Sequence, residues 1–300
     1  MRRRSLWTDL SAPALDRRTF TRGALAALGL GAVAVACGGK GDSAGGDSSG
    51  DDGEGGASSD GGAGSDGEDG LSDADVDWAT GGTAAMAGGY PDPFTDTPEA
   101  CALTCAVTLG PCYAETIERE DISEGNPGLP MRLCFRVVDS DCKPVAGAAV
   151  DIWHTNISGL YSGEDAAEMC TTGDAAAMAS RWFRGVQNTD SEGKVYFNSC
   201  FPGWYSSRAV HIHLQVRVGG DAFVTTQVFF ASALLADIFA NQPEYAAFGQ
   251  PNVSNEEDGL IAEADPEMLQ MNTARQADGA LLAYKTLVLR TSLSDSGCAV

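Results

Sequence analysis

Val210-His211-Ile212-His213-Leu214-Gln215-Val216-Arg217-Val218 is the stretch on which the fold turns. Every even position is apolar and every odd one polar, a period of two that suits a strand with one buried face and not a helix. His211 and His213 therefore stand side by side on one face. They are two of only three histidines in 300 residues and follow a Pro202-Gly203-Trp204-Tyr205 break, which favours metal ligation over a solvated polar face.

The same texture extends outward. Leu133, Phe135 and Val137 alternate with polar residues, Asp139-Ser140-Asp141 makes a turn, and Val150 and Ile152 resume, so the pattern predicts a hairpin. A second turn, Asp190-Ser191-Glu192-Gly193, precedes Val195 and Phe197. Short alternating runs between turn residues, from about Cys101 onward, predict a mainly β sandwich. Residues 232–240, with Ser232 as N-cap, and 266–273 read as short peripheral helices, and 284–289 as a closing strand.

The N-terminus reads differently. Arg17-Arg18-Thr19-Phe20 and an uncharged apolar run over 24–36 form a twin-arginine-type export signal, so residues 1–36 are set apart from the fold. Ala34-Val35-Ala36-Cys37-Gly38 resembles a lipobox, which makes Cys37 a lipidation site and the only predicted link to a membrane. Residues 38 to about 77 are almost all Gly, Ser, Asp, Ala and Glu, a composition unable to bury enough apolar area to offset ordering entropy. The region 37–100 is accordingly expected to be an acidic tether and 101–300 the folded domain of an exported periplasmic or cell-surface lipoprotein. A formal net charge of -23 excludes the basic surface that nucleic acid would need. No feature names a protein partner.

Apart from Cys37, the cysteines are Cys101, Cys105, Cys112, Cys134, Cys142, Cys170, Cys200 and Cys298. An even number in an exported domain predicts disulfides, up to four, with a connectivity that spacing does not reveal.

A histidine pair alone could hold zinc, copper or iron, so the neighbouring donors matter. No acid adjoins His211 or His213. Tyr205 does stand close, and Tyr161 lies further back in Gly159-Leu160-Tyr161. Phenolate oxygen is hard and anionic and stabilises Fe(III) over Fe(II).

Taken together, the motifs resemble those of the intradiol ring-cleavage dioxygenases, the catechol and protocatechuate dioxygenases, and in particular a short exported branch. The resemblance runs from about Thr108 to Leu289. It is carried by Gly110-Pro111-Cys112-Tyr113, by Val150-Asp151-Ile152-Trp153-His154, by Phe183-Arg184-Gly185, by Pro202-Gly203-Trp204-Tyr205, by Arg208-Ala209-Val210-His211-Ile212-His213 and by Thr226-Gln227-Val228-Phe229-Phe230. It implies an intradiol-dioxygenase-like β-sandwich with one non-haem Fe(III) held by Tyr161, Tyr205, His211 and His213. Arg208 and Gln227 match residues that the family places beside the substrate, Trp153 is a candidate for the pocket lining, and His154 is assigned a structural role.

The implied reaction cleaves a small aromatic diol between its hydroxylated carbons with O2, giving a muconate-type diacid. The alternative is a non-catalytic exported β-sandwich that binds metal or aromatics. Three departures accompany the resemblance. Only five residues separate Tyr205 from His211, the helical dimerisation part of catechol dioxygenases has no counterpart, and Cys112 stands where an aromatic is common. They fall at or near the pocket mouth, so the resemblance does not carry substrate choice.

Overall fold

The apolar positions of the alternating runs face one another across two four-stranded sheets. In the computed structural model, residues 76–96, 100–261 and 266–299 are described. The strands are β1 (Pro130–Asp139), β2 (Ala149–Trp153), β3 (Arg184–Asn188), β4 (Lys194–Cys200), β5 (His211–Val218), β6 (Asp221–Phe229), β7 (Asn272–Arg275) and β8 (Leu281–Leu289). One sheet has the order β4-β1-β8-β7, with β1 and β8 parallel; the other, β3-β2-β5-β6, is antiparallel throughout. Leu133 and Phe135 of β1, Ile152 of β2, Phe197 of β4, Ile212 and Leu214 of β5, and Leu287 of β8 meet in a single core between them.

The hairpin expected after Asp139 is not formed. The turn exists, with Asp139 N donating to Lys143 O at 2.9 Å, but the chain then crosses to the other sheet. Val150 and Ile152 face β1 across the core instead of pairing beside it. Period two fixes which face is buried, not whether two strands are neighbours in a sheet or opposed between sheets.

Short helices line the periphery: α1 (Glu168–Thr171), α2 (Ala175–Ala179), α3 (Ser232–Asn241), α4 (Pro243–Ala246) and α5 (Pro266–Leu269). In α3 the residues Leu235, Ile238 and Phe239 are buried at helical spacing, and Ala231, not Ser232, is the N-cap. The helix expected over 266–273 stops at Leu269. Met271 N donates to Phe229 O at 2.8 Å, and the segment continues as β7 against β8.

The folded part starts well before Cys101. Trp78 is buried, its Nε1 donates to Asp237 at 2.9 Å, and the Arg275 guanidinium lies 3.6 Å over its ring. Phe94 closes the outer face of the β4-β1-β8-β7 sheet against Cys134, Leu282 and Tyr284. Two buried aromatics, Trp78 and Phe94, with the half-buried Tyr90, supply the burial that the surrounding Gly- and Asp-rich composition hides. The predicted signal, Cys37 and the tether to residue 75 lie outside the described residues.

Among the described residues the disulfides are Cys101–Cys142, Cys105–Cys298 and Cys112–Cys170, three where up to four were expected, and Cys134 and Cys200 are buried free thiols. Cys200 pairs with Pro130 on the β1–β4 ladder, four residues from Cys134. That offset puts their Cα atoms roughly 13 Å apart along the strands, beyond the roughly 7 Å a disulfide can span.

Candidate metal centre

The face of the β3-β2-β5-β6 sheet turned away from the core carries a row of polar and aromatic side chains. Strand pairing sets Arg184, Trp153, His213 and Gln227 opposite one another across β3, β2, β5 and β6, with His211 two residues along. All five are buried, because loops fold over this face.

Two of those loops deliver the tyrosines. The turn over 156–160 is closed by Asn156, whose side-chain Oδ1 accepts from the backbone N–H groups of Ser158 and Leu160. Gly159 has φ +80°, and its missing Cβ leaves the space that the Trp204 carbonyl fills; Gly203 gives the same close approach to the backbone of 156–157. Gly203 N donates to Asn156 O at 3.0 Å, and Thr155 Oγ1 donates to Gly203 O at 2.7 Å. The loops bearing Tyr161 and Tyr205 are thus interlocked by backbone contact.

Four donor atoms converge at the centre. His211 Nε2 lies 3.3 Å from Tyr161 Oη, 3.4 Å from Tyr205 Oη and 3.1 Å from His213 Nε2. His211 Nδ1 is 2.6 Å from the Ala209 carbonyl, which places the proton on that nitrogen and leaves the Nε2 lone pair facing the cluster. Trp153 stacks on His213 with centroids 5.1 Å apart and planes at 10°, and Gly110 covers the other part of that ring.

Burial governs the electrostatics. It lowers His211 to about 3 and His213 well below its ordinary value, so both imidazoles are neutral at physiological pH. It raises Tyr161 well above the ordinary phenol value, with Tyr205 adding to the rise, and raises Tyr205 too; the Arg208 charge opposes both shifts. Without a cation the phenols hold their protons. A small, highly charged cation fits this donor set: two neutral nitrogens and two phenols whose ionisation it would compensate leave a trivalent ion at net +1. Among the described residues no group of three or more His, Cys, Asp or Glu could hold a metal, so a metal site of that more usual composition has no counterpart here.

Arg208 and Gln227 lie beside this cluster. Arg208 Nε donates to both carboxylate oxygens of Asp258, at 2.9 and 3.1 Å, and Nη2 to Gln227 Oε1; Gln227 Nε2 donates to Thr108 O at 3.0 Å. Trp153, expected on the pocket wall, is instead fully buried behind His213. The side chain at this register of β2 packs against the imidazole and is not among the residues lining the cavity beside the tyrosines. His154 is on the core side, with Nδ1 2.8 Å from Thr155 O and Nε2 2.7 Å from Ser199 Oγ, in keeping with a structural role.

Sequence reasoning gave no role to Arg184 or Asp258. Arg184, fully buried and lowered to about 10 by burial, donates to Ser162 O and Cys112 O, tying the Tyr161 loop to the segment over His213. Its place in the Phe183-Arg184-Gly185 motif was the available signal. Asp258 sits in an irregular stretch without pattern, and nothing in the sequence marks it.

A cavity of about 380 Å³ opens beside the two tyrosines, lined among others by Leu160, Met169, Trp204, Phe248 and the Cys112–Cys170 disulfide.

Residues 107–277 match the sequence profile of the Dioxygenase family. A solved intradiol ring-cleavage dioxygenase from Tetranychus urticae is 30% identical, with a TM-score of 0.57 over 65% of this chain and 98% of that one. Catechol 1,2-dioxygenase 1 of Acinetobacter lwoffii is 28% identical over 39% of this chain and 43% of its own length, and catechol 1,2-dioxygenase 2 of the same organism 31% over 34% and 40%. The matches thus span less than half the length of these catechol dioxygenases. A β-sandwich built over this site, matched across more than half its length by that profile, belongs to the intradiol ring-cleavage dioxygenase family.

Proposed function

We propose that the protein is a non-haem Fe(III)-dependent intradiol dioxygenase acting on catechol-type aromatics, with Tyr161, Tyr205, His211 and His213 as the iron ligands. The observation that carries this is the convergence of three of these side chains on His211 Nε2 at 3.1–3.4 Å, in a chain of this family. A ferric ion bound there supplies the Lewis acidity that withdraws electron density from a catecholate ring and opens it to O2.

The protein's own groups divide the remaining work. Tyr205, less buried than Tyr161, is the phenolate whose Oη takes a proton from the entering diol. Tyr161, His211 and His213 stay fixed by their packing. Arg208, held in place by Asp258 and Gln227, presents positive charge where negative charge develops on the ring, in a site shielded from bulk water. The carbon–carbon bond between the hydroxylated carbons breaks, and both oxygen atoms enter the diacid product.

The test is oxygen uptake by the iron-loaded protein with catechol, together with product analysis. Equimolar O2 consumption and a cis,cis-muconate are expected. Stable iron binding without uptake on any catechol would move the protein to the non-catalytic reading.

We further propose export and lipid anchoring at Cys37, a reading supported by the arginine-rich signal and by three disulfides of the kind that persist in oxidising compartments. Cys37→Ser should move the protein from the membrane to the soluble fraction; unchanged membrane association would sink the anchor.

A further inference from the structure

We infer that this site takes neutral catechols carrying an apolar substituent of about ring size, and discriminates against catechols carrying a carboxylate. The inference rests on the ring-cleavage reading of the site and adds its substrate class.

Volume comes first. The cavity beside Tyr161 and Tyr205 measures about 380 Å³, whereas a cavity of about 150 Å³ suffices for a benzene ring. A catechol seated against the tyrosines leaves room for a second group of similar size. The walls decide what that group is. Leu160, Met169, Trp204, Phe248 and the Cys112–Cys170 disulfide supply the large side chains of the lining beside the tyrosines, Ser158, Thr172 and Ser206 add only neutral hydroxyls, and no charged side chain is among it. Met169 is 75% exposed and Phe248 40% exposed, so the lip holds large apolar side chains in water. Such surface is unfavourable until an apolar occupant covers it.

The lip is not a loose tail. Trp204 Nε1 donates to Gly249 O at 3.0 Å, which fixes the segment bearing Phe248 against the loop bearing Tyr205. Met169 sits between the ends of α1, next to Cys170, whose carbonyl accepts from Tyr161 N at 3.0 Å. Both rim residues are therefore tied to the loops of the ligand tyrosines.

Charge argues the same way. Arg208 and Arg184 are the cations near the tyrosines, but Arg208 is paired with the fully buried carboxylate of Asp258, Arg184 is committed to the carbonyls of Ser162 and Cys112, and neither lines the cavity. A carboxylate on the substrate would be drawn from water into this lining without a counter-ion, at a large desolvation cost. The chain's net charge of -23 opposes its approach as well.

The test uses the full-length, iron-loaded protein with catechol, 4-phenylcatechol and 3,4-dihydroxybenzoate, reading kcat/KM by oxygen uptake. The expected order puts 4-phenylcatechol above catechol by about tenfold or more, with the carboxylate lowest. The double variant Met169→Ser/Phe248→Ser, altered at exposed positions, should lower the phenylcatechol-to-catechol ratio by about tenfold. A ratio at or below one in the native protein, a preference for the carboxylate, or a ratio the double variant does not move would overturn the inference while leaving ring cleavage intact. Should no catechol be turned over, ring cleavage itself fails, and quenching of tryptophan fluorescence still decides the pocket's preference. Tighter binding of 4-phenylcatechol than of 3,4-dihydroxybenzoate then upholds the inference, and equal or weaker binding refutes it.

Discussion

Asp258 shows how much one residue outside the donor cluster controls. Its carboxylate accepts two bonds from Arg208 Nε and one from Ala209 N at 2.9 Å, so it fixes both the guanidinium and the backbone whose carbonyl orients His211. Asp258→Asn keeps the shape and removes the charge. Activity should fall roughly 10- to 100-fold with iron content unchanged; unaltered turnover would contradict the role given to Arg208. His154 contributes at the same scale through protonation. Burial holds it at about 4 against an ordinary 6.5, so between those values the unfolded chain binds the proton that the folded one refuses. Its contribution is fully present above about pH 6.5 and is lost as pH falls through 4, amounting to about 3 kcal/mol. Denaturant titrations at pH 7 and pH 4 should show a loss smaller by about that amount in His154→Gln, and an equal loss in both proteins would refute the assignment.

At the scale of elements, the strap over 76–96 and the loops over the outer face of the β3-β2-β5-β6 sheet do most to shape the molecule. Trp78 is the strap's anchor, so Trp78→Ala should cost about 3 kcal/mol or more and expose the strap to proteolysis; a loss under about 1 kcal/mol would show that the strap docks without it. The alternation on β5 was fully legible: its apolar positions enter the core, and His211 and His213 share the opposite face. Sheet membership was not, because Val150 and Ile152 show the same alternation whether they pair beside β1 or face it. The strap escaped notice because three aromatics in a Gly-rich stretch carry no period. Residues 272–273 read as the end of a helix over 266–273, yet pairing with β8 overrides that local reading.

For the whole molecule, the site is a meeting of distant segments. The loops bearing Tyr161 and Tyr205 meet at two glycine-lined backbone crossings above the histidine strand, and Arg184 joins the Tyr161 loop to Cys112. No local pattern encodes such convergence, so the tyrosines were legible only through phenolate chemistry and a family pattern matched in order, and Asp258 not at all. Trp153 illustrates the limit: its register across from His213 follows from the strands, but whether it faced an occupant or a ring depended on how the loops closed. The central claim is that two phenolates and two imidazoles of this chain hold a ferric ion that a catechol engages. Visible absorption of the iron-reconstituted protein tests it most directly. A red phenolate-to-Fe(III) charge-transfer band is expected, shifting when catechol is added and altered in Tyr161→Phe and Tyr205→Phe; a colourless protein containing one iron per chain would contradict it.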